Sequence, residues 1–248
     1  MTLHRLVEEF GDKVRRCENS RDLFALVQDV SGEIGFSRTA LVHGLWFRRP
    51  DRNLIRMDNY GPWAEVYVAR HYYRHDPAPL AGQLTSAAFP WTEISRMLSL
   101  SEIQKDILVE ARSYGLRSGF TLPVGVPGEP HGGCSFVTDR DDLPGRWRCR
   151  AAVLIGAEAF REARRLHGFA VTRKPLPHLS DRKLQCLELL TIGKTDVEIA
   201  MIEGIKESTV RTYMAALRQD FGVVSRAQLA ALATRLGLVD YRDAIPQG

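Results

Sequence analysis

The stretch "NYGPWAEVYVARHYYRHDPAP", residues 59–79, gathers one Trp and four Tyr and ends them at a single Asp, Asp76, set in front of Pro77. Aromatic side chains cover a large area against water, and a carboxylate among them is a strong hydrogen-bond acceptor. Trp63 and Tyr67 stand four residues apart, so on a helix they share one face. Such a set suits a cavity that holds something better than it suits a plain surface helix. Metal chemistry is the rival, because His71, His75 and Asp76 lie close together. No second His or carboxylate cluster follows at a recognisable spacing, so no metal site is expected. Neither HxHxDH nor GxSxG occurs in the chain, so no catalytic residue is expected either. Tyr72, Tyr73 and Trp46 read as ordinary core or surface aromatics.

A second set of chemical groups lies near the other end. "IEGIKEST" is a short turn bearing Gly204, and Lys206, Ser208, Arg211, Thr212 and Arg218 follow on the exposed side of a helical segment. A short helix, a tight turn with Gly and a second helix studded with Thr and Arg can set side chains against base edges in a DNA major groove. A helical dimerisation or scaffold module shares this layout. Bulk charge does not separate the two, since ten Lys/Arg from Lys174 onward face nine Asp/Glu.

The elements that must position these groups follow from hydrophobic period. The first 35 residues carry apolar side chains at helical spacing, with Asn19 or Ser20 as a cap between two helices and Gly35 closing the second. "SRTALVHGLWF" reads as a strand, "PDRN" as a turn and "LIRMDNY" as a second strand. "PWAEVYVARHYY" returns to helical period, and "LSLSEIQKDILVEARSYG" is a longer amphipathic helix. "SGFTLPVGVPGEPHGGCSFVTD" is a hairpin, and "RWRCRAAVLIGAEAFREARRLHGF" a further amphipathic helix. The expectation is an α+β domain over residues 1–168, with an antiparallel sheet of roughly five strands flanked by helices as an α/β/α sandwich. "GFAVTRKPLPHLS" has two prolines and no period, which predicts a linker over residues 169–178. Four short helices over residues 179–248 form an all-α bundle, with Ser180 and Thr195 placed as N-caps.

Composition agrees with two soluble domains. The chain has 248 residues, 44% hydrophobic and 26% charged, and a net charge of +4. That balance permits a nucleic-acid partner without demanding one. Cys17, Cys134, Cys149 and Cys186 form no CxxC pair and read as reduced thiols of a cytoplasmic protein. The N-terminus carries charges inside its apolar pattern, and the longest apolar-rich run is about half a membrane span, so neither a signal peptide nor a membrane segment is expected.

The ordered residues decide between the helical modules. From Leu179 to Val239 the chain resembles the LuxR-type helix-turn-helix, at Leu179, Ser180, Leu187, Gly193, Lys194, Thr195, Ile199, Ala200, Thr209, Val210, Arg211, Leu217, Gly222, Val223, Ser225, Arg226 and the closing "LGLV". Lys183 stands where the family usually has the Glu of a capping box, against the helix dipole. Regulators with this module differ in their first domain. A phospho-accepting receiver needs an alternating βα pattern with an acidic pair, which the first 165 residues lack. The series Trp63, Tyr67, Asp76, Pro77, Trp91 and Gly119 instead resembles the acyl-homoserine-lactone-binding domain of LuxR-type quorum-sensing regulators.

The resemblance implies roles. Trp63 donates its indole N–H to the lactone carbonyl, Asp76 accepts from the ligand amide, and Tyr60 and Ser135 meet the acyl carbonyl. Tyr67 and Trp91 wall the cavity, and the small Ala78 and Ser135 leave room. A buried Asp76 without the ligand's donor would be costly, so folding would depend on ligand. Thr195, Lys206, Ser208, Thr209, Arg211, Thr212 and Arg218 are the implied contacts to double-stranded DNA. A homodimer through the helix over 146–167 and through Leu232 and Leu236, a contact to RNA polymerase, and an N-acyl-homoserine lactone in place of any cofactor complete the expectation. A regulator of the same fold with a different ligand or none stays open beside it.

Overall fold

The amphipathic period at the N-terminus resolves into two helices, α1 (Leu3–Val14) and α2 (Ser20–Glu33), with Asn19 capping the second through its side-chain oxygen and the Asp22 N–H. The structure is a computed structural model and describes residues 2–44, 54–126, 129–169 and 176–239. Trp46 and the "PDRN" turn lie outside the described residues. Two compact units emerge, Met1–Val171 and Thr172–Gly248.

In the first unit the chain continues as β1 (Arg38–His43), β2 (Ile55–Asp58), α3 (Pro62–Ala69), a 3₁₀ turn at Tyr72–Arg74, α4 (Pro77–Gly82), β3 (Phe89–Pro90), α5 (Ile94–Met97), α6 (Glu102–Ser113), β4 (Ser118–Val124), β5 (Gly132–Thr138) and α7 (Arg146–Leu166). The five strands form one antiparallel sheet in the order β2-β1-β5-β4-β3. Alternation sorts its side chains. Leu41, Ile55, Met57, Phe120, Leu122, Cys134 and Phe136 enter a core built with α1, α2 and α7. The opposite face carries Ala40, Val42, Arg56, Asp58, Thr121, Pro123 and Ser135, which look into a cavity. Register aligns Asp58, Ala40, Ser135 and Thr121 in one row across four strands. The expected α+β architecture, helices flanking an antiparallel sheet, is therefore the one observed.

The short elements between Pro77 and Met97, the 3₁₀ turn at Trp91–Glu93 among them, were not anticipated, and two of them bear on the cavity. β3 is only two residues, and its pairing of Phe89 with Thr121 and Pro90 with Phe120 leaves no periodic trace in sequence. α4 starts from Asp76, whose Oδ1 accepts from the Ala78 N–H at 2.9 Å with Pro77 at the first helical position.

The second unit is helical: α8 (Asp181–Thr191), α9 (Asp196–Glu203), α10 (Glu207–Phe221) and α11 (Arg226–Arg235). Cys186, Leu187, Leu190, Ile199, Val210, Met214, Leu217 and Leu229 make its core. Thr195 and Glu198 form a reciprocal capping box at α9, as Ser225 and Gln228 do at α11. Gly204, at φ +63° and ψ +35°, takes the left-handed conformation that ends α9 and turns the chain into α10. Ser180 caps α8 through the Lys183 N–H at 3.4 Å. The Lys183 side chain, read as unfavourable in a first turn, reaches across to α10 and pairs with Asp220 at 2.9 Å.

Candidate functional site

The cavity beneath the sheet has a volume of about 120 Å³ and a mostly apolar lining. Tyr60, Trp63, Tyr67, Asp76, Trp91 and Ser135 all line it, and so does Ala78. They arrive on five structures: the end of β2, the helix α3, the start of α4, the 3₁₀ turn at Trp91–Glu93 and the strand β5. The far wall is α6, through Ile107, Leu108 and Ala111.

Two hydrogen-bonded groups organise the polar atoms. Tyr67 Oη donates to Asp76 Oδ2 at 2.8 Å, while Asp76 Oδ1 is the α4 cap. Trp91 Nε1 donates to Thr121 Oγ1 at 2.8 Å, and that hydroxyl lies 2.9 Å from Ser135 Oγ. Ser135 in turn lies near enough to the Tyr60 hydroxyl to lower its pKa against the larger effect of burial. Thr121, which sequence reading missed, therefore holds Trp91 and Ser135 in place. Its alternation in "SGFTLPV" marks a strand face, but nothing in the pattern says which face meets a cavity. Gly119 sits where a Cβ would overlap the Trp91 indole, so the ring lies directly on the β4 backbone.

Burial pushes the Asp76 carboxyl above its usual range, opposed by its hydrogen bonds from the Ala78 N–H and the Tyr67 hydroxyl. Tyr60 and Tyr67 are held well above the ordinary phenol value, first by burial and then by the charge of Asp76. Both phenols are therefore neutral donors at neutral pH. The expectation that an empty site leaves Asp76 without a donor is corrected: both oxygens already have one. A carboxylate offers about four acceptor positions, so room for a further N–H remains.

Trp63 is 3% exposed and packs against Tyr67, Tyr72 and Tyr114 at ring separations of 6.1, 5.7 and 5.4 Å. Its indole N–H meets no acceptor among the described residues. Tyr72 belongs to this aromatic cluster and gives its hydroxyl to Glu110 at 2.7 Å. Tyr73 lies beside His71, whose Nδ1 is 3.0 Å from its hydroxyl. Among the described residues no group of three His, Cys, Asp or Glu could hold a metal ion.

In the second unit Val210, Met214 and Leu217 point α10 into the core. Lys206, Ser208, Arg211 and Thr212 are exposed, and Thr209 and Arg218 are half-buried at its edges. Arg211 Nη2 donates to Glu207 Oε1 at 2.5 Å, one turn back. The Thr195 hydroxyl is engaged by Glu198, at 2.8 Å to the carboxylate. Arg226, not singled out from sequence as a contact, bonds Asp196 and the Lys194 carbonyl and so ties α11 to the start of α9.

Comparison with known proteins agrees with both halves. The family described as "Autoinducer binding domain" matches residues 19–163, and "Bacterial regulatory proteins, luxR family" matches residues 177–233. The HTH-type quorum-sensing regulator RhlR of Pseudomonas aeruginosa is 28% identical over 231 residues, covering 89% of this chain and 91% of that protein. The transcriptional activator protein TraR of Agrobacterium vitis is 25% identical over 213 residues, covering 85% and 89%. The crystal structure of Escherichia coli SdiA shares the fold at a TM-score of 0.60 and 22% identity, covering 96% of this chain and 99% of that one.

Proposed function

Because the chain belongs to the LuxR-type quorum-sensing transcription regulators, in which an autoinducer-binding domain is joined to a helix-turn-helix, we propose that it binds an N-acyl-homoserine lactone and, as a homodimer, a palindromic promoter site. The observation that carries this reading is the convergence of Tyr60, Trp63, Tyr67, Asp76, Trp91 and Ser135 on one cavity. In it Asp76 accepts the ligand amide N–H and Trp63 donates to the lactone carbonyl. Tyr60 and Ser135, already aligned through Thr121, meet the acyl carbonyl. Tyr67 orients Asp76, and Trp91 closes the wall. Residues 1–168 form the sensing and dimerisation domain, 169–178 the linker and 179–248 the DNA-binding domain.

On the DNA side, Ser208, Thr209, Arg211 and Thr212 of α10 face the major groove, and Thr195, Lys206 and Arg218 stand near phosphates. The work is binding and not catalysis, with no cofactor. It takes place in the cytoplasm and ends in a contact with RNA polymerase. No described helix is long and apolar enough to cross a membrane.

One observation favours a second reading. The hydrogen bonds from Tyr67 and Ala78 give both Asp76 oxygens a donor from the protein itself, as a regulator with a different ligand or none would need. Expression with and without a panel of acyl-homoserine lactones, followed by mass spectrometry of what co-purifies, separates the two. A lactone retained in stoichiometric amount, with higher soluble yield, supports the first. Equal yield and no retained lactone rejects it.

A further inference from the structure

β2 is an edge strand, and its alternation sends Ile55 and Met57 into the core but Arg56 and Asp58 to the cavity face. Opposite them stand Val42 and Ala40 of β1. Arg56 Nε donates to Asp58 Oδ2 at 2.9 Å, and Asp58 Oδ1 accepts from the Tyr60 N–H at 3.3 Å. This pair fixes the plane of the guanidinium. The two Nη groups of Arg56 meet no acceptor among the described residues, and the side chain keeps 32% of its surface accessible. Around it the wall is Val42, Pro123 and Gly133, which offer no side-chain acceptor.

Arg56 is exposed enough for water to meet these donors, and a ligand oxygen that lies against them takes the place of that water. Asp58 already neutralises the charge of Arg56, so an anion gains little there and a neutral oxygen fits better. The bond to Asp58 holds the guanidinium over β2, and Ser135 stands two strands away on β5, about 10 Å across the sheet. The oxygen it meets is therefore not the one that Ser135 meets. The guanidinium is also near enough to Tyr67 to lower that phenol's pKa against the larger effect of burial, which sets it on the ligand side of the strand.

The geometry points to Arg56 as a specificity-determining residue that hydrogen-bonds an oxygen on the acyl chain of the ligand, an oxo or hydroxyl group beyond the amide carbonyl. This rests on the acyl-lactone reading above, and Asp58 is the positioning residue that aims the guanidinium.

The test is calorimetric binding of octanoyl-, 3-oxooctanoyl- and 3-hydroxyoctanoyl-homoserine lactone to the full-length protein and to the double variant Arg56→Met with Asp58→Asn, which removes both charges together. The wild type is expected to bind one of the oxygenated lactones at least about five-fold tighter than the plain one, as one hydrogen bond to a charged donor at a partly wet site allows. The double variant is expected to bring that ratio under about two-fold while holding plain octanoyl affinity within about three-fold. If the double variant does not fold, Arg56→Gln, which can still donate to Asp58 but is too short to face the cavity, is expected to lose the same preference. A wild type that binds all three alike, or a variant that keeps the preference, overturns the assignment of Arg56 and leaves the acyl-lactone reading standing. A wild type that binds none of the three overturns the role of Arg56, and the acyl-lactone reading falls with it only if the whole panel above also fails.

Discussion

At the scale of single residues, Asp76 serves two ends with the same two oxygens. It caps α4 through Ala78 and receives the Tyr67 hydroxyl, and in the proposed complex it also takes the ligand amide. Asn in its place has one acceptor oxygen, and its NH₂ would face either Tyr67 or the ligand N–H. Asp76→Asn is therefore expected to weaken lactone binding by about 1.5–3 kcal/mol, roughly ten- to a hundred-fold, read by calorimetry. Unchanged affinity would take Asp76 out of the site. The raised pKa gives a second expectation. Below the folded value the native state holds a proton that the unfolded chain, titrating near pH 3.9, does not hold until lower pH. As far as Asp76 is concerned, the ligand-free protein then gains stability as pH falls through the raised value, a gain complete by the unfolded value. Lactone affinity moves the other way, because the amide N–H needs the ionised carboxylate. Calorimetric affinities from about pH 7 down to about pH 4 should fall in the wild type and stay nearly flat in Asp76→Asn. Parallel curves would mean that another group controls the pH response.

At the scale of elements, what was legible in the sequence follows what had a period. The helices α1, α2, α6 and α7 and the β4–β5 hairpin carry unbroken 3.6- or 2-residue patterns, and all are present. β3 was not legible because two residues cannot show alternation. α4 was signalled by Asp before Pro at a helix start, yet the same Asp76 was read as an acceptor for a ligand, and the residue alone does not exclude either role. In the cavity the six residues were named through the family resemblance that the Trp–Tyr–Asp–Pro–Trp–Gly series carries, whereas Thr121, Arg56 and Asp58 sit on strands whose inner face only the tertiary fold defines. Lys183 shows the same limit. Local rules make it a poor first-turn residue, so that Lys183→Glu should restore a capping box. The structure corrects this, since the side chain spans to Asp220 on α10 at 2.9 Å. Glu there would regain the cap but place a carboxylate beside Asp220 and remove a tie between α8 and α10. Lys183→Glu is now expected to be neutral or to destabilise the DNA-binding domain by up to about 1 kcal/mol in urea unfolding. A gain of that size would show that the capping box outweighs the bridge.

At the scale of the whole molecule, the proposal joins a cavity that reads one small amphiphile to a helix that reads DNA, and the second half is testable alone. Arg211 lies in the first turns of α10, exposed, with its guanidinium held one turn back by Glu207 at 2.5 Å. From there a guanidinium can meet guanine in a bidentate way, worth about 1–3 kcal/mol of discrimination. Arg218 lies two turns on, half-buried and with no side-chain bond among the described residues, and in the proposed complex the helix leaves the groove there. It is placed to meet phosphate, which adds affinity without choosing sequence. A symmetric dimer carrying two such helices implies an inverted-repeat site with half-sites about one helical turn, or a multiple of it, apart. Selection from random-sequence DNA supplies the site, and binding to it and to a scrambled duplex at several salt concentrations supplies the comparison. Arg211→Ala should narrow the gap between the two duplexes by about ten-fold or more. Arg218→Ala should weaken both alike and flatten the salt dependence by about one unit of slope. If Arg211→Ala leaves the preference intact, the base-reading face of α10 lies elsewhere, and Ser208 and Thr212, on the same exposed side, are the next residues to test.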